Sequence, residues 1–366
     1  MTAKHFVLFA SQPYSFPILR PLQQAIRARG DQVGWVVSGT LQHLLQPDET
    51  RLAGYRDVQA FNPQAVFSAS NWVPLIFPGL KVQLFHGFNV EKRDASKGHF
   101  RIRAMFDLYC TQGPSTSGPF RELAEKYGYF KVAETGWPKM DPLFQSTDRK
   151  LRECFADQRR PVLMFASTFT ESLSAAPHLL EPIKRLIAEE KYNWLLTLHP
   201  KMAPDTVNRY KALADGDSVC YFDASRTIDM LKAADAMIGD TSSIVTEFLL
   251  QGKPAVTFRN RKPGAHLLNI TTVKDLPGAI ETALSRPPGL MNAIDNFNTQ
   301  NHPYTDGKSS ERVLTAVDEF ATLQPALRRK KPLNTYRKLQ HYLKVRKMSA
   351  PPASPAKEPM IDSGSK

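Results

Sequence analysis

Short, almost uninterrupted apolar runs recur along this chain with helical segments between them, and the pattern starts afresh near residue 161. Residues 5–10 read as a buried strand. A Pro-containing loop and a helix to about Arg29 follow, Gly30 ends the helix, and residues 32–38 read as the next strand. Further runs lie at 65–68, 82–85, 108–111 and 130–133, with a helical segment at 119–127. The stretch 136–160, rich in Pro, Asp, Lys and Arg, reads as a domain end and linker. Beyond it come strands at 161–167, 193–198, 219–222, 234–239 and 254–258, with helices at 177–190, 224–232 and 243–250. Strands alternating with helices predict parallel sheets covered on both faces. The chain has 366 residues, 42% of them hydrophobic, enough for two such α/β units facing a cleft. The expected domains are 1–145 and 160–322, followed by a basic segment at 326–348 and a disordered tail at 349–366.

No apolar run reaches the roughly 18 residues of a membrane-spanning helix. Met1-Thr2-Ala3-Lys4-His5 leads into a strand pattern rather than a signal peptide. Cys110, Cys154 and Cys220 show neither pairing nor metal-type spacing, which predicts core thiols in a reducing cytoplasm. The net charge of +13 is uneven. Nine cations (Arg328, Arg329, Lys330, Lys331, Arg337, Lys338, Lys344, Arg346 and Lys347) stand without an acidic residue among them, and the rest of the chain carries +4.

In open α/β sheets ligands sit beyond the carboxyl ends of the strands, so residues just after strands carry chemical weight. The most informative such place is Asp240-Thr241-Ser242-Ser243, which opens a helix containing Glu247. Orphan backbone N–H groups and the positive end of the helix dipole make that position an anion site, most often for phosphate. The competing reading is N-capping by Asp240 or Thr241, but capping needs one such residue, not four in a row. His86-Gly87 and His199-Pro200-Lys201 also follow strands. A strand-end imidazole such as His86 is a general base near neutral pH, and Gly87 allows close backbone approach; a hydrogen-bonded core histidine is the competing reading. His199 beside Lys201 suits phosphate oxygens, against a mere strand-terminating turn. The late segment from Tyr304 to Arg312, with Asp306-Gly307, Lys308 and Ser309-Ser310, reads on its own as a solvated loop opening the last helix. No glycine-rich dinucleotide or Walker loop, HExxH or paired-Cys zinc pattern occurs, and no acidic cluster demands a metal.

Taken in order, His86-Gly87, His199-Pro200, Asp240-Thr241-Ser242-Ser243 and Asp306-Gly307, with Gly136-Trp137-Pro138-Lys139-Met140-Asp141 at the domain junction, the chain resembles the CDP-glycerol glycerophosphotransferase family of teichoic-acid polymerases and primases. The resemblance spans roughly residues 80 to 315. It implies an α/β GT-B fold, two Rossmann-like domains across a cleft, with no cofactor. It implies His86 as the base that takes a proton from an acceptor hydroxyl, His199 as its catalytic partner, and CMP as leaving group. The implied donor-binding set is His199, Gly87, Lys201, Asp240, Thr241, Ser242, Ser243, Glu247, Asp306, Lys308 and Arg312. The sequence departs from the family after His86-Gly87, where Phe88-Asn89 replaces Thr-Pro and Glu91 precedes Lys92, and at Thr241, where an aromatic residue is usual. The donor therefore stays open among CDP-glycerol, CDP-ribitol and a nucleotide sugar.

In the basic segment Leu339, Tyr342 and Leu343 fall at helical spacing with Tyr336 one turn earlier, predicting a basic amphipathic helix on the anionic inner face of a membrane. A solvated tail is the plain competitor, and no motif supports nucleic acid as a partner. The expected protein is a cytoplasmic, peripheral membrane transferase that moves polyol phosphate from a CDP-activated donor to a lipid-linked or polymeric acceptor. A sugar transferase or nucleotide-sugar epimerase on the same scaffold is the first rival, and a non-catalytic scaffold for polymer assembly the second.

Overall fold

Two six-stranded, wholly parallel sheets form the molecule, and their strand orders fix where each sheet can hold a ligand. A computed structural model describes residues 2–88, 100–145, 149–323 and 329–349. Arg328, the 350–366 stretch, and Asn89, Glu91 and Lys92 lie outside the described residues.

The first sheet contains β1 (His5–Ala10), β2 (Gln32–Val37), β3 (Ala65–Ser68), β4 (Leu80–Gln83), β5 (Leu108–Thr111) and β6 (Lys131–Glu134), in the order β2-β1-β3-β4-β5-β6. Central strands are buried on both faces, which explains runs such as Phe6-Val7-Leu8-Phe9-Ala10 with no polar alternation. Helix α1 (Ser15–Ala28) buries Phe16, Leu19, Leu22 and Ile26, an i, i+3, i+6, i+10 stripe. Gly30 takes φ +75°, the left-handed conformation that ends the helix without a Cβ penalty. Helices α2 (Tyr55–Phe61) and α3 (Pro114–Tyr127) complete the layers.

The junction is helical rather than loose: α4 (Asp141–Phe144) lies between one-turn segments at Pro138–Met140 and Lys150–Cys154. Arg152 pins it to the second domain through the Ala233 carbonyl and the Asp235 carboxylate. The second sheet contains β7 (Val162–Ser167), β8 (Asn193–Leu198), β9 (Val219–Tyr221), β10 (Ala236–Gly239), β11 (Ala255–Phe258) and β12 (Leu268–Ile270), ordered β12-β11-β10-β7-β8-β9. Helices α5 (Ala176–Ala188), α6 (Pro204–Lys211), α7 (Thr227–Ala233), α8 (Ser243–Leu249) and α9 (Leu276–Ser285) accompany it.

After α10 (Pro288–Asn301) the chain crosses back to the first domain. Helix α11 (Ser309–Leu323), inside the span expected for the second domain, packs on α1, where Asp318 binds Lys4 at 2.7 Å and Arg29 at 2.5 Å. Helix α12 (Thr335–Ser349) also returns, burying His341 and Val345 against the first domain. The basic segment is thus a packed helix: Lys331 binds Asp107 at 2.5 Å, Arg337 reaches the Arg103 carbonyl, and Lys344 lies over the Trp72 ring. Among the described residues no helix is long and apolar enough to cross a membrane. Cys154 and Cys220, far apart in sequence, meet with their sulfurs 3.0 Å apart.

Candidate active site

In each sheet the strand order reverses beside the first strand, between β1 and β3 and between β7 and β10. Such switch points open crevices at the carboxyl ends of parallel strands. His86 and Gly87 lie near the first, and His199, Lys201 and the Asp240–Ser243 turn near the second.

At the first switch point, Tyr14 after β1 stacks on the His86 ring, with centroids 5.1 Å apart. His86 itself follows β4. Its Nδ1 lies 3.3 Å from the Ala69 carbonyl after β3. A carbonyl only accepts, so Nδ1 carries the proton and Nε2 bears the lone pair of the neutral ring, the tautomer a base needs. The Gly87 carbonyl accepts from the Gln112 amide at 3.1 Å, and Phe88 packs edge-on against Trp137.

At the second switch point, Asp240 is wholly buried, and its Oδ2 accepts from Ser167 Oγ at 2.7 Å, Thr168 N at 2.9 Å and Ala175 N at 3.1 Å. Burial pushes its carboxyl pKa up, and these three donors oppose that shift. Asp240 therefore anchors the residue that leads into α5 and shapes the loop after β7; it does not cap α8. Thr241 does not either, since its Oγ1 accepts from Arg261 N at 3.2 Å. Ser242 stands at the N-cap of α8 with no side-chain capping bond. The hydroxyl cluster is thus not used up in capping.

His199 follows β8, and its Nδ1 accepts from Lys201 N at 3.1 Å. The proton of the neutral ring then sits on Nε2, the opposite tautomer from His86. Phe169, after β7 and 43% exposed, packs on the His199 ring at 4.4 Å, and Lys201 Nζ lies 5.7 Å from its centroid. Thr168 touches Asp240 and Phe169 touches His199, so one loop joins the two motifs.

The remaining predicted residues sit elsewhere. Glu247 is buried in α8 and turns inward, its Oε1 2.5 Å from Lys139 Nζ at the domain junction. The late motif locks that junction as well. Asp306 pairs with Arg312, whose guanidinium lies over Tyr304. Lys308 is exposed, with its backbone N–H on Asp306. Gly307, at φ +67°, approaches the Asp141 carbonyl so closely that a Cβ would lie 3.0 Å from it. Asp141 caps α11 by accepting from Ser309 N and Ser310 N at 2.8 and 2.7 Å. Trp137 N donates to His302 Nε2 at 2.9 Å. Lys139 thus ties the junction to α8, and Asp141 and Gly307 tie it to the start of α11.

Sequence reading missed Tyr14, Phe169, Asn260 and Arg261. The first two directly follow strands and could have been flagged on that ground. Asn260, whose amide donates to the Asp240 carbonyl, and Arg261 meet the hydroxyl turn only through the β10–β11 pairing.

A model of the CDP-glycerol:poly(glycerophosphate) glycerophosphotransferase family matches residues 87–319. The chain belongs to that family. Within this glycerophosphotransferase family it is 23% identical over 211 residues to the teichoic acid glycerol-phosphate primase of Bacillus subtilis strain 168, covering 52% of each chain. It is 27% identical over 234 residues to the teichoic acid ribitol-phosphate polymerase TarL of Staphylococcus aureus, covering 54% of this chain and 39% of that one. The chain thus spans about half or less of the curated relatives it matches. The solved structure of a histidine-to-alanine variant of the wall teichoic acid polymerase TagF superposes with a TM-score of 0.64 at 14% identity, over 88% of this chain and 91% of that one. The S. aureus MnaA–UDP structure gives 0.60 at 13%, over 87% and 97%. These likenesses and the two facing parallel sheets show the GT-B fold.

Proposed function

We propose that this glycerophosphotransferase-family chain transfers a polyol-phosphate unit from a CDP-activated donor, CDP-glycerol first among them, to a hydroxyl of a lipid-linked or polymeric acceptor. CMP leaves. One observation carries this reading: two histidines at strand exits have their Nδ1 atoms engaged in opposite senses, His86 on the Ala69 carbonyl and His199 on the Lys201 N–H, so a neutral His86 ring turns an acceptor Nε2 outward and His199 a donor one. His86 takes the acceptor hydroxyl proton as the oxygen attacks phosphorus. His199 donates to a donor phosphate oxygen as charge passes to the departing CMP. Thr241, Ser242, Ser243 and the Arg261 backbone frame the diphosphate, and Lys201 adds charge. Asp240 and Glu247 act through the backbone they position. Asp306 and Arg312 pair with each other at the start of α11, and Lys308, exposed beside them, supplies a further cation for the donor. Relatives named as a glycerol-phosphate primase and a ribitol-phosphate polymerase support the polyol-phosphate class, as does a TagF variant structure soaked with CDPG.

The same reading places the chain at an anionic membrane surface. Tyr336, Leu339 and Leu343 are 74%, 59% and 50% exposed, follow one another at i, i+3 and i+7, and lie opposite the buried His341 and Val345. Exposed Arg346 edges the stripe on one side, and Lys344, over the Trp72 ring, lies beyond its other side. An apolar stripe edged by cations fits the interface of an anionic leaflet.

Donor identity is tested by thermal unfolding with candidate nucleotides, because a ligand that binds only the folded chain raises the midpoint. Cytidine diphosphate compounds raise it while uridine and guanosine analogues do not. A shift with uridine diphosphate sugars alone would point to sugar transfer or epimerisation instead.

A further inference from the structure

We infer that a cavity at the amino-terminal edge of the first sheet, under the strap that leads into α12, binds the phosphate of an anionic phospholipid. This rests on the membrane-surface reading of α12 and names the lipid group that the surface would hold. The cavity measures about 770 Å³ and is lined by Lys81, Asp107, Lys331, Lys338, Phe320 and Leu333, among others. It lies at the start of β4, whereas His86 follows the end of that strand, roughly 15 Å along the strand direction at the usual rise per residue. It is therefore separate from the candidate active site.

Three lysines and a single carboxylate line it, and that carboxylate is already engaged. Asp107 Oδ1 binds Lys331 Nζ at 2.5 Å, and Oδ2 accepts from the Lys81 backbone N–H at 2.8 Å. Lys81 is only 7% exposed, and its Nζ donates to the Gly79 carbonyl at 2.5 Å. An ammonium carries three donors, so this bond leaves its capacity only partly used. Burial lowers the Lys81 pKa to about 8, against the pull of Asp107 and with the push of Lys331 and Lys338. A bound anion would relieve both the burial and the repulsion.

The other half of the wall is apolar, with Leu75, Leu80 and Phe320. Leu333 lines the cavity, is 75% exposed, and stands three residues before Tyr336 on the outward stripe. A free phosphate would use only the lysines. A phospholipid uses both halves, its phosphate on the ammoniums and its glycerol and acyl stems along Leu333 toward the stripe.

The test is titration of the full chain with dihexanoyl phosphatidylglycerol below its micelle concentration, beside inorganic phosphate and glycerol phosphate. Vesicles of phosphatidylcholine with and without phosphatidylglycerol are run in parallel. The expected result is saturable lipid binding that weakens at least tenfold in Lys81→Met and severalfold in the exposed Lys338→Gln. Leu339→Ser/Leu343→Ser should keep monomeric lipid and lose vesicles. Inorganic or glycerol phosphate binding as tightly as the lipid would overturn the proposal, as would unchanged affinity in both lysine variants. Vesicle binding without monomer binding would overturn the cavity and spare the α12 surface; loss of both would overturn both.

Discussion

Lys139 and Glu247 join the two domains through an ion pair, Nζ to Oε1 at 2.5 Å, and Glu247 belongs to the helix that opens with the hydroxyl turn. The glutamate side chain is 3% exposed and the lysine 20%. Removing one partner of a buried pair strands the other charge, at a cost of about 3–5 kcal/mol. Lys139→Met should therefore lower the denaturant midpoint sharply, while Lys139→Met/Glu247→Leu recovers most of the loss. A double-mutant cycle by equilibrium unfolding measures the coupling; additive single effects would show that the pair does not link the domains.

Asp240 separates a contact role from a positioning role. Ala in its place leaves Ser167 Oγ, Thr168 N and Ala175 N without the one carboxylate oxygen that accepts all three. A buried donor left unpaired costs about 1–3 kcal/mol. Asp240→Ala should lower stability by at least that order and weaken donor binding, because the loop carrying Phe169 loses its anchor. Calorimetry with a cytidine diphosphate donor, alongside thermal unfolding, reads both. Weakened binding at unchanged stability would instead place Asp240 on the ligand.

His302 makes the junction sensitive to acid. Burial lowers its pKa from 6.5 to about 4, so the folded chain holds it neutral. As pH falls below 6.5 the unfolded chain takes up a proton that the folded chain does not. This contribution to stability is complete above pH 6.5 and is lost progressively down to about 4. At roughly 1.4 kcal/mol per unit it amounts to about 3 kcal/mol. His341, shifted the same way by burial and by Lys344 and Arg337, adds to the trend. Chemical denaturation of wild type and His302→Gln from above pH 6.5 down to about 4 should show a flatter profile for the variant.

The parallel α/β architecture was legible because central strands buried on both faces leave uninterrupted apolar runs. The strand exits at His86, His199 and Asp240 were legible for the same reason. The meaning of Asp240 was not: its partners come from β7 and α5, about 70 residues away, and only the β7–β10 pairing brings them together. The motif implied Asp306, Lys308 and Arg312 as donor groups, but not that Arg312 lies over Tyr304 and Gly307 against the Asp141 turn, contacts that only the return of the chain to the first domain creates. The sulfur contact of Cys154 and Cys220 likewise arises from the junction packing on β9 and leaves no trace in spacing. In the basic helix, periodicity identified Leu339 and Leu343, but Tyr342 lies against Tyr55 and the inward face is His341 and Val345.

The most direct test of the opposed-tautomer site is CMP release from CDP-glycerol with a glycerol-phosphate-primed acceptor, by wild type, His86→Ala and His199→Ala. General acid–base groups of this kind contribute about 10²–10⁴-fold. Each variant should lose at least a hundredfold in kcat while its unfolding midpoint stays near that of wild type. Wild-type turnover in both would contradict the assignment of these two histidines to the reaction.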